Sequence, residues 1–243
     1  DYADSSLCYN TGGAILLNDY LIKANPKLRT PGMIADSTAR MAIDGLPIDV
    51  FTSATPEGDK RYCGQFQLNN DKSKSGALFG QTKKDGTEIA LEFINNTNPV
   101  ANFAVEGDVA TQLASKGSDG FDASVEFLYP ESDYLWTGKK GAEDTAPEVM
   151  KQAIVRLWGW VQSCVPQGAD PAKMSTEEVK RRFKSAKFKS EVAQYFSVEH
   201  LALWWVWTDY CMSVDQRVKN TFWRTWDGLK WYVTYYDGDT AFG

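Results

Sequence analysis

The stretch Thr221-Phe222-Trp223-Arg224-Thr225-Trp226-Asp227-Gly228-Leu229-Lys230-Trp231-Tyr232-Val233-Thr234-Tyr235-Tyr236 decides how the rest of the chain is read. Both halves are aromatic and β-branched, and Asp227-Gly228 between them is a type I′ hairpin signal. The reading is two antiparallel strands, 221–226 and 229–236. Asn220 then stands just before the first strand and Asp237 just after the second, side by side at the open end. Asp215 lies five residues before Asn220, in the loop leaving an apolar helix, and Asp239 lies two beyond Asp237. Three carboxylates and one amide thus converge on one rim.

Working outward, Ser197 caps a helix from Val198 to about Met212. That helix is apolar nearly all round (Leu201, Leu203, Trp204, Trp205, Val206, Trp207), which predicts a buried central helix. Ser175 and Glu178 have capping-box spacing and open a basic helix whose thin apolar side is Val179, Phe183 and Phe188. Thr145 and Glu148 form a second box, with Pro147 in the first turn. It opens a helix striped by Val149, Ile154, Leu157, Trp158, Val161 and Val165, ending near Pro166.

Further upstream the period becomes β-like. Pro47–Phe51, Tyr62–Leu68 and Glu88–Ile94 read as strands, with Tyr62, Gly64, Phe66 and Leu68 on one face. Ala14–Ile22 is apolar enough for a helix or a strand, and Asn25–Gly32 reads as a Pro/Gly-punctuated loop. The class is α+β and two-lobed: a β-rich part over 1–103, a loop-rich connection over 104–145, and a helical lobe with the hairpin over 146–243.

Bulk properties narrow the function. At 243 residues the chain can bury a real core, and 43% hydrophobic and 24% charged residues are ordinary for a globular protein. A net charge of −6 argues against nucleic-acid binding driven by bulk electrostatics. Nine tryptophans point to buried anchors or a protein interface. No apolar run is long enough for a membrane span, and no signal peptide is visible. The four cysteines show no C-x-x-C pair and read as buried thiols, though a disulfide remains open. The chain begins with Asp1 and ends just after its densest motif, so it reads as a piece of something longer, incomplete at its C-terminus.

The rim has the grammar of phosphoryl transfer. Mg²⁺ takes oxygen ligands, typically one or two carboxylates plus phosphates. A protein kinase places a catalytic Asp, a metal-binding Asn five residues on, a hairpin, and then a metal Asp. Asp215 and Asn220 have that spacing, and Asp237 or Asp239 fills the last role. The bland alternative is that Asp and Asn simply make local turns.

Other candidates are weighed the same way. Lys72 follows a strand and could reach phosphates, or it is a turn lysine of the polar run 69–74. Glu92 alternates with Leu91 and Phe93, so it is either edge-exposed or paired with a lysine. His200, the one histidine, cannot build a His-based metal site or triad alone and reads as a satisfied structural residue. The run Lys180–Lys189 reads as a solvated basic face, with an acidic-partner site as the alternative. The Trp204-Trp205-Trp207 cluster reads as core.

Residues 198–243 resemble the C-terminal signature of CotH-type (spore-coat-protein-H) kinase-like domains. The resemblance rests on Val214-Asp215, Asn220, the run Gly228 to Tyr232 (GLKWY), Asp237-Gly238-Asp239 and Phe242-Gly243. Met212–Gly243 is more similar still to CotH-like segments in large structural proteins of tailed bacteriophages. Ile43–Pro47, Phe66–Lys72 and Leu91–Asn96 resemble the upstream half of those segments. The chain departs from the pattern at Tyr236, where a Trp is usual, at Gly238, where a bulky residue is usual, and in having no G-x-G-x-x-G loop. The resemblance implies an atypical kinase fold that binds ATP with Mg²⁺ or Mn²⁺ and phosphorylates Ser or Thr on protein. By that resemblance Asp215 would orient the acceptor hydroxyl, and Asn220 and Asp237 would hold metal with Asp239 as a second ligand; Lys72 and Glu92, singled out above from the residues themselves, are the candidates to serve the nucleotide. It equally allows a catalytically silent tail or neck module. Expected partners are other virion proteins or a protein substrate, and the expected setting is the virion or the host bacterial cytoplasm.

Overall fold

The computed structural model describes residues 9–70, 80, 85–93, 125–129, 147–164, 175, 177, 181–213, 215–217, 220–236 and 238, with the backbone alone at 125–127 and 215. Within them, five α-helices and two small antiparallel sheets make an α+β fold. Helix α1 (Tyr9–Ile15) continues as a π-helical segment, Leu16–Ile22, so the ambiguous apolar stretch is helical. A 3-10 turn (Pro26–Leu28) and helix α2 (Pro31–Ala35) follow. Strands β1 (Gly45–Thr52) and β2 (Arg61–Asn69) form a two-stranded ribbon. Then come β3 (Ile89–Phe93), β4 (Val125–Tyr129), α3 (Glu148–Ser163), α4 (Ser185–Tyr195), α5 (Val198–Tyr210), β5 (Thr221–Thr225) and β6 (Trp231–Tyr235).

The larger sheet runs β4-β3-β5-β6, and each of the three sequence segments 1–103, 104–145 and 146–243 lends it at least one strand. Every residue of β3 is buried: β4 and β5 flank its edges, the α3 cluster covers the face of Ile89, Leu91 and Phe93, and a smaller cluster of Ile43, Leu128 and Phe222 covers Ala90 on the other face. One face of the sheet carries Ile89, Leu91, Phe93, Trp231 and Val233. It packs against the stripe Met150, Ala153, Ile154, Leu157 and Trp158 of α3. Those positions recur every three or four residues, so one helix face meets the sheet. Phe93 stacks near Trp158 at 6.2 Å and meets Trp223 edge-on at 4.6 Å. Each such fully buried large side chain contributes roughly 1.5–3 kcal/mol.

A second cluster joins Ala14, Leu17 and Ile22 to Trp207, Cys211 and Tyr235. Asn18 locks it to the chain that follows: Oδ1 accepts from Met41 N at 2.8 Å and Ala42 N at 3.1 Å, while Nδ2 donates to the Ala42 carbonyl at 3.2 Å.

Several expectations need correction. The hairpin is present, but its strands end at Thr225 and start again at Trp231, with Thr225 opposite Trp231. The turn is therefore five residues, not the two of a type I′ turn, and of its central pair only Gly228 has positive φ (+70°). Asp227 builds the turn instead. Its Oδ1 accepts from Leu229 N and Lys230 N, both at 2.8 Å, and from Thr225 Oγ1 at 3.0 Å.

Helix α5 does touch the hairpin, through Trp207 on Tyr235 and His200 on Tyr232, yet it is not buried all round. Trp205, Val206 and Tyr210 are each more than half exposed, because the sheet and α1 cover one side only. Ser197 does precede α5, but its hydroxyl engages His200 Nδ1 and the Glu199 carboxylate rather than a backbone N–H.

The basic segment is broken: residues 183–184 are not helical and α4 starts at Ser185, with Phe183 and Phe188 folded onto the core. Helix α3 begins at Glu148 after Pro147, while Thr145 lies outside the described residues. Cys164 and Cys211 are buried thiols, but Cys63 is exposed on the ribbon. No described helix is long and apolar enough to cross a membrane.

Candidate functional site

Helix α5 ends at Tyr210, and Met212, in the left-handed region at φ +55°, turns the chain back toward the sheet. A 3-10 turn, Asp215–Arg217, follows. Arg217 clamps this turn to the helix. Its guanidinium lies 4.0 Å above the Trp205 ring, donates from Nε to Thr208 Oγ1 and from Nη2 to the Trp205 carbonyl, and pairs with Asp209 at 3.1 Å.

Gln216 reaches the other way: its Nε2 donates to the Tyr236 carbonyl at 2.9 Å. Thr221 Oγ1 donates to the Gln216 carbonyl, closing the loop between turn and β5. Asn220 also sits in the left-handed region, at φ +53°, which Asn tolerates better than most residues. Its N–H donates to the Phe93 carbonyl at 2.8 Å, so it extends the β3–β5 ladder by one bond.

The described backbone therefore brings the Asp215 turn, Asn220 and Tyr236, the residue before Asp237, to one end of the sheet. Gly238, the residue after Asp237, donates its N–H to Asn10 Oδ1. The side chain of Asp215, and Asp237, Asp239 and Lys72 altogether, lie outside the described residues. Among the described residues no group of three His, Cys, Asp or Glu could hold a metal. The donors expected at the rim, one amide and three carboxylates, are all oxygen, the ligand type that Mg²⁺ takes at ~2.1 Å.

Glu92 is not at an edge. It is 3% exposed, in the interior strand β3, on the sheet face opposite the α3 core. The register puts Ala90 opposite Arg224 and Glu92 opposite Phe222, so Arg224 is a diagonal neighbour of Glu92 on the same face, ~7–8 Å away by strand geometry. Arg224 is 1% exposed, and its Nε donates to Thr234 Oγ1 at 3.3 Å. Burial pushes its pKa well down, the mark of a guanidinium held out of water. Glu88, two residues before Ala90, is buried as well. The described cation that the register brings to Glu92 is thus Arg224. Sequence reading alone passes over Arg224 because it sits in a strand dominated by Phe222, Trp223 and Trp226. The period-2 alternation that separates Phe222 and Arg224 from Trp223 and Thr225 was the available signal. Gln216 had no comparable signal, since a single amide in a loop looks like any other.

His200 is buried and satisfied, as its sequence context suggests. Nε2 lies 2.9 Å from the Leu28 carbonyl and Nδ1 2.8 Å from Ser197 Oγ. A carbonyl only accepts, so Nε2 carries the proton and Nδ1 accepts from the serine hydroxyl. Burial lowers the pKa of this imidazole. The basic segment behaves as a solvated face, with Lys187 paired to Glu191 at 2.7 Å.

No protein-family model matches the chain, and no curated protein matches it in sequence.

Proposed function

We propose that the chain is a CotH-like domain of two-lobed, atypical-kinase type, carried in a tailed-phage virion structural protein, and that its hairpin rim binds Mg²⁺ (or Mn²⁺) together with ATP. The observation that carries this reading is the Gln216–Tyr236 hydrogen bond, which ties the turn beginning at Asp215 to the end of β6 from which Asp237 follows. Sequence neighbours of three of the four expected ligands are thereby held at one end of one sheet. In this reading Asn220 and Asp237 hold the metal, with Asp239 as a second ligand. Asp215 orients an acceptor hydroxyl of Ser or Thr, and Lys72 serves the nucleotide. The buried Glu92–Arg224 face lies in the same sheet and stiffens the strands that carry the rim.

The test is a titration of Mg²⁺ or Mn²⁺, with and without ATP, while thermal stability is followed. The expected result is stabilisation in the millimolar range that is lost in Asn220→Gly, a change that removes the amide while easing the left-handed backbone. No shift with either metal, with or without ATP, removes the rim as a metal–nucleotide site. Transfer of labelled phosphate from ATP, abolished in Asp215→Asn, separates an active kinase from a silent fold.

A second reading, a virion tail or neck module without turnover, is favoured by the β1–β2 ribbon. Leu46, Phe51, Tyr62, Phe66 and Leu68 are each half or more exposed there, a surface that a neighbouring virion protein would cover. Particles that assemble normally with Asp215→Asn but fail with Phe66→Asp would support that reading over the enzymatic one.

A further inference from the structure

A cavity of about 220 Å³ opens between the π-helical segment, the 3-10 turn and the chain that follows α2. Its floor includes Ile22 and Met33, and three cations line it: Lys23, Arg29 and Arg40, against one carboxylate, Asp19. On a chain whose net charge is −6, a recess lined by three positive groups and one negative group is out of keeping with its surroundings. The elements that build it are fixed from behind. Asn18 holds the helix to Met41 and Ala42, and His200 Nε2 holds the Leu28 carbonyl, next to Arg29.

Arg40 is held in place by its Nη1, which donates to the Thr38 carbonyl at 2.8 Å and to the Ala39 carbonyl at 3.3 Å. Its remaining nitrogens make no hydrogen bond among the described residues. Neither Lys23 nor Arg29 forms an ion pair among them, Asp19 included. The anchored Arg40 guanidinium, with Arg29 and Lys23 beside it, suits an oxyanion, which guanidinium groups bind through charge-assisted, often bidentate hydrogen bonds. The volume is below that of a drug-sized pocket, and an apolar floor beside the charges suits a small organic body attached to the anion.

We propose that this recess is a binding site for a small phosphate monoester, with Arg29, Arg40 and Lys23 on the phosphate and Ile22 and Met33 under the organic part. It shares no residue with the hairpin rim and needs no metal.

Calorimetric titration of the whole chain with phenyl phosphate, inorganic phosphate and the uncharged phenol, all in the presence of a chelator, tests it. The chelator keeps the result independent of the rim. Phenyl phosphate is expected to bind in the millimolar range or tighter, more tightly than inorganic phosphate, with no binding of phenol. Lys23→Gln with Arg29→Gln should weaken binding about tenfold or more, the loss of roughly one charge-assisted contact or two. Asp19→Asn should strengthen it, because the variant removes the carboxylate that lines the recess. Both variants change exposed side chains, and retained thermal stability shows that they remain folded. No heat with phenyl phosphate, or binding that neither variant moves in the stated direction, overturns the proposal.

Discussion

Gln216 Nε2 donates to the carbonyl oxygen of Tyr236 at 2.9 Å, across twenty residues of chain, and Gln216 itself is fully buried. This single side chain joins the turn after α5 to the strand end before Asp237. Gln216→Leu removes the donor and leaves the half-buried Tyr236 carbonyl without it, at an expected cost of about 1 kcal/mol. If the rim binds metal, the same variant should lose Mg²⁺-dependent stabilisation out of proportion to that cost. Paired thermal melts with and without Mg²⁺ measure both quantities.

The diagonal placement of Glu92 and Arg224 leads to a coupling experiment. Removing either charge, as Glu92→Gln or Arg224→Met, leaves a buried group facing the wrong partner, and about 3–5 kcal/mol should be lost each time. The double variant should lose clearly less than the sum. Urea unfolding of the four proteins gives the coupling energy; a value within about 0.5 kcal/mol of zero means that the two residues act independently.

His200 supplies a pH dependence. Its folded pKa lies below the ordinary value of 6.5 because it is buried, so the unfolded chain binds the extra proton first. Stability is therefore complete above about pH 6.5 and falls as the pH drops from there toward the folded pKa. His200→Gln keeps a donor for the Leu28 carbonyl but does not titrate. Melting temperatures from pH 7.5 down to 5.5 should fall more steeply in the parent than in this variant.

Asp227 organises the hairpin turn by accepting three hydrogen bonds. Asp227→Ala should cost about 1–2 kcal/mol, and Asp227→Asn less, because the amide oxygen can still accept. Gly228→Ala adds a side chain at φ +70° and should cost about 1–2 kcal/mol by a different route, backbone strain. Denaturant midpoints compare the three.

Much of this was legible in the sequence, and the failures have a common cause. Strand and helix positions followed from period: Pro47–Phe51, Tyr62–Leu68, the hairpin and the helix at Val198 were all recovered. Local chemistry could not say what would lie on the far side of an element. The apolar circumference of α5 promised burial all round, yet only one side meets the sheet and α1. For Glu92, an edge position and a buried pairing both stay open in the sequence, because nothing in residues 89–93 shows that β4 and β5 flank it. The Asp227-Gly228 pair signalled a turn correctly, but the carboxylate's ability to gather Leu229 N and Lys230 N extended it to five residues. At the rim, the spacing of Asp215 and Asn220 was readable, whereas the amide of Gln216 that brings them toward Tyr236 was not.

The pairing of β3 with β5 also sets a clock on biosynthesis. Ile89 finds its partner, Thr225, more than a hundred residues further along the chain. A ribosome adding ~5–20 residues per second needs on the order of ten seconds to make that stretch. Throughout that time the interior strand Ile89–Phe93 has neither β5 beside it nor α3 over it until the latter emerges, and its apolar side chains are open to any passing surface. Nascent chains of this protein should therefore be unusually dependent on holdase chaperones, and slowing translation between residues 94 and 225 should lower the soluble yield rather than raise it.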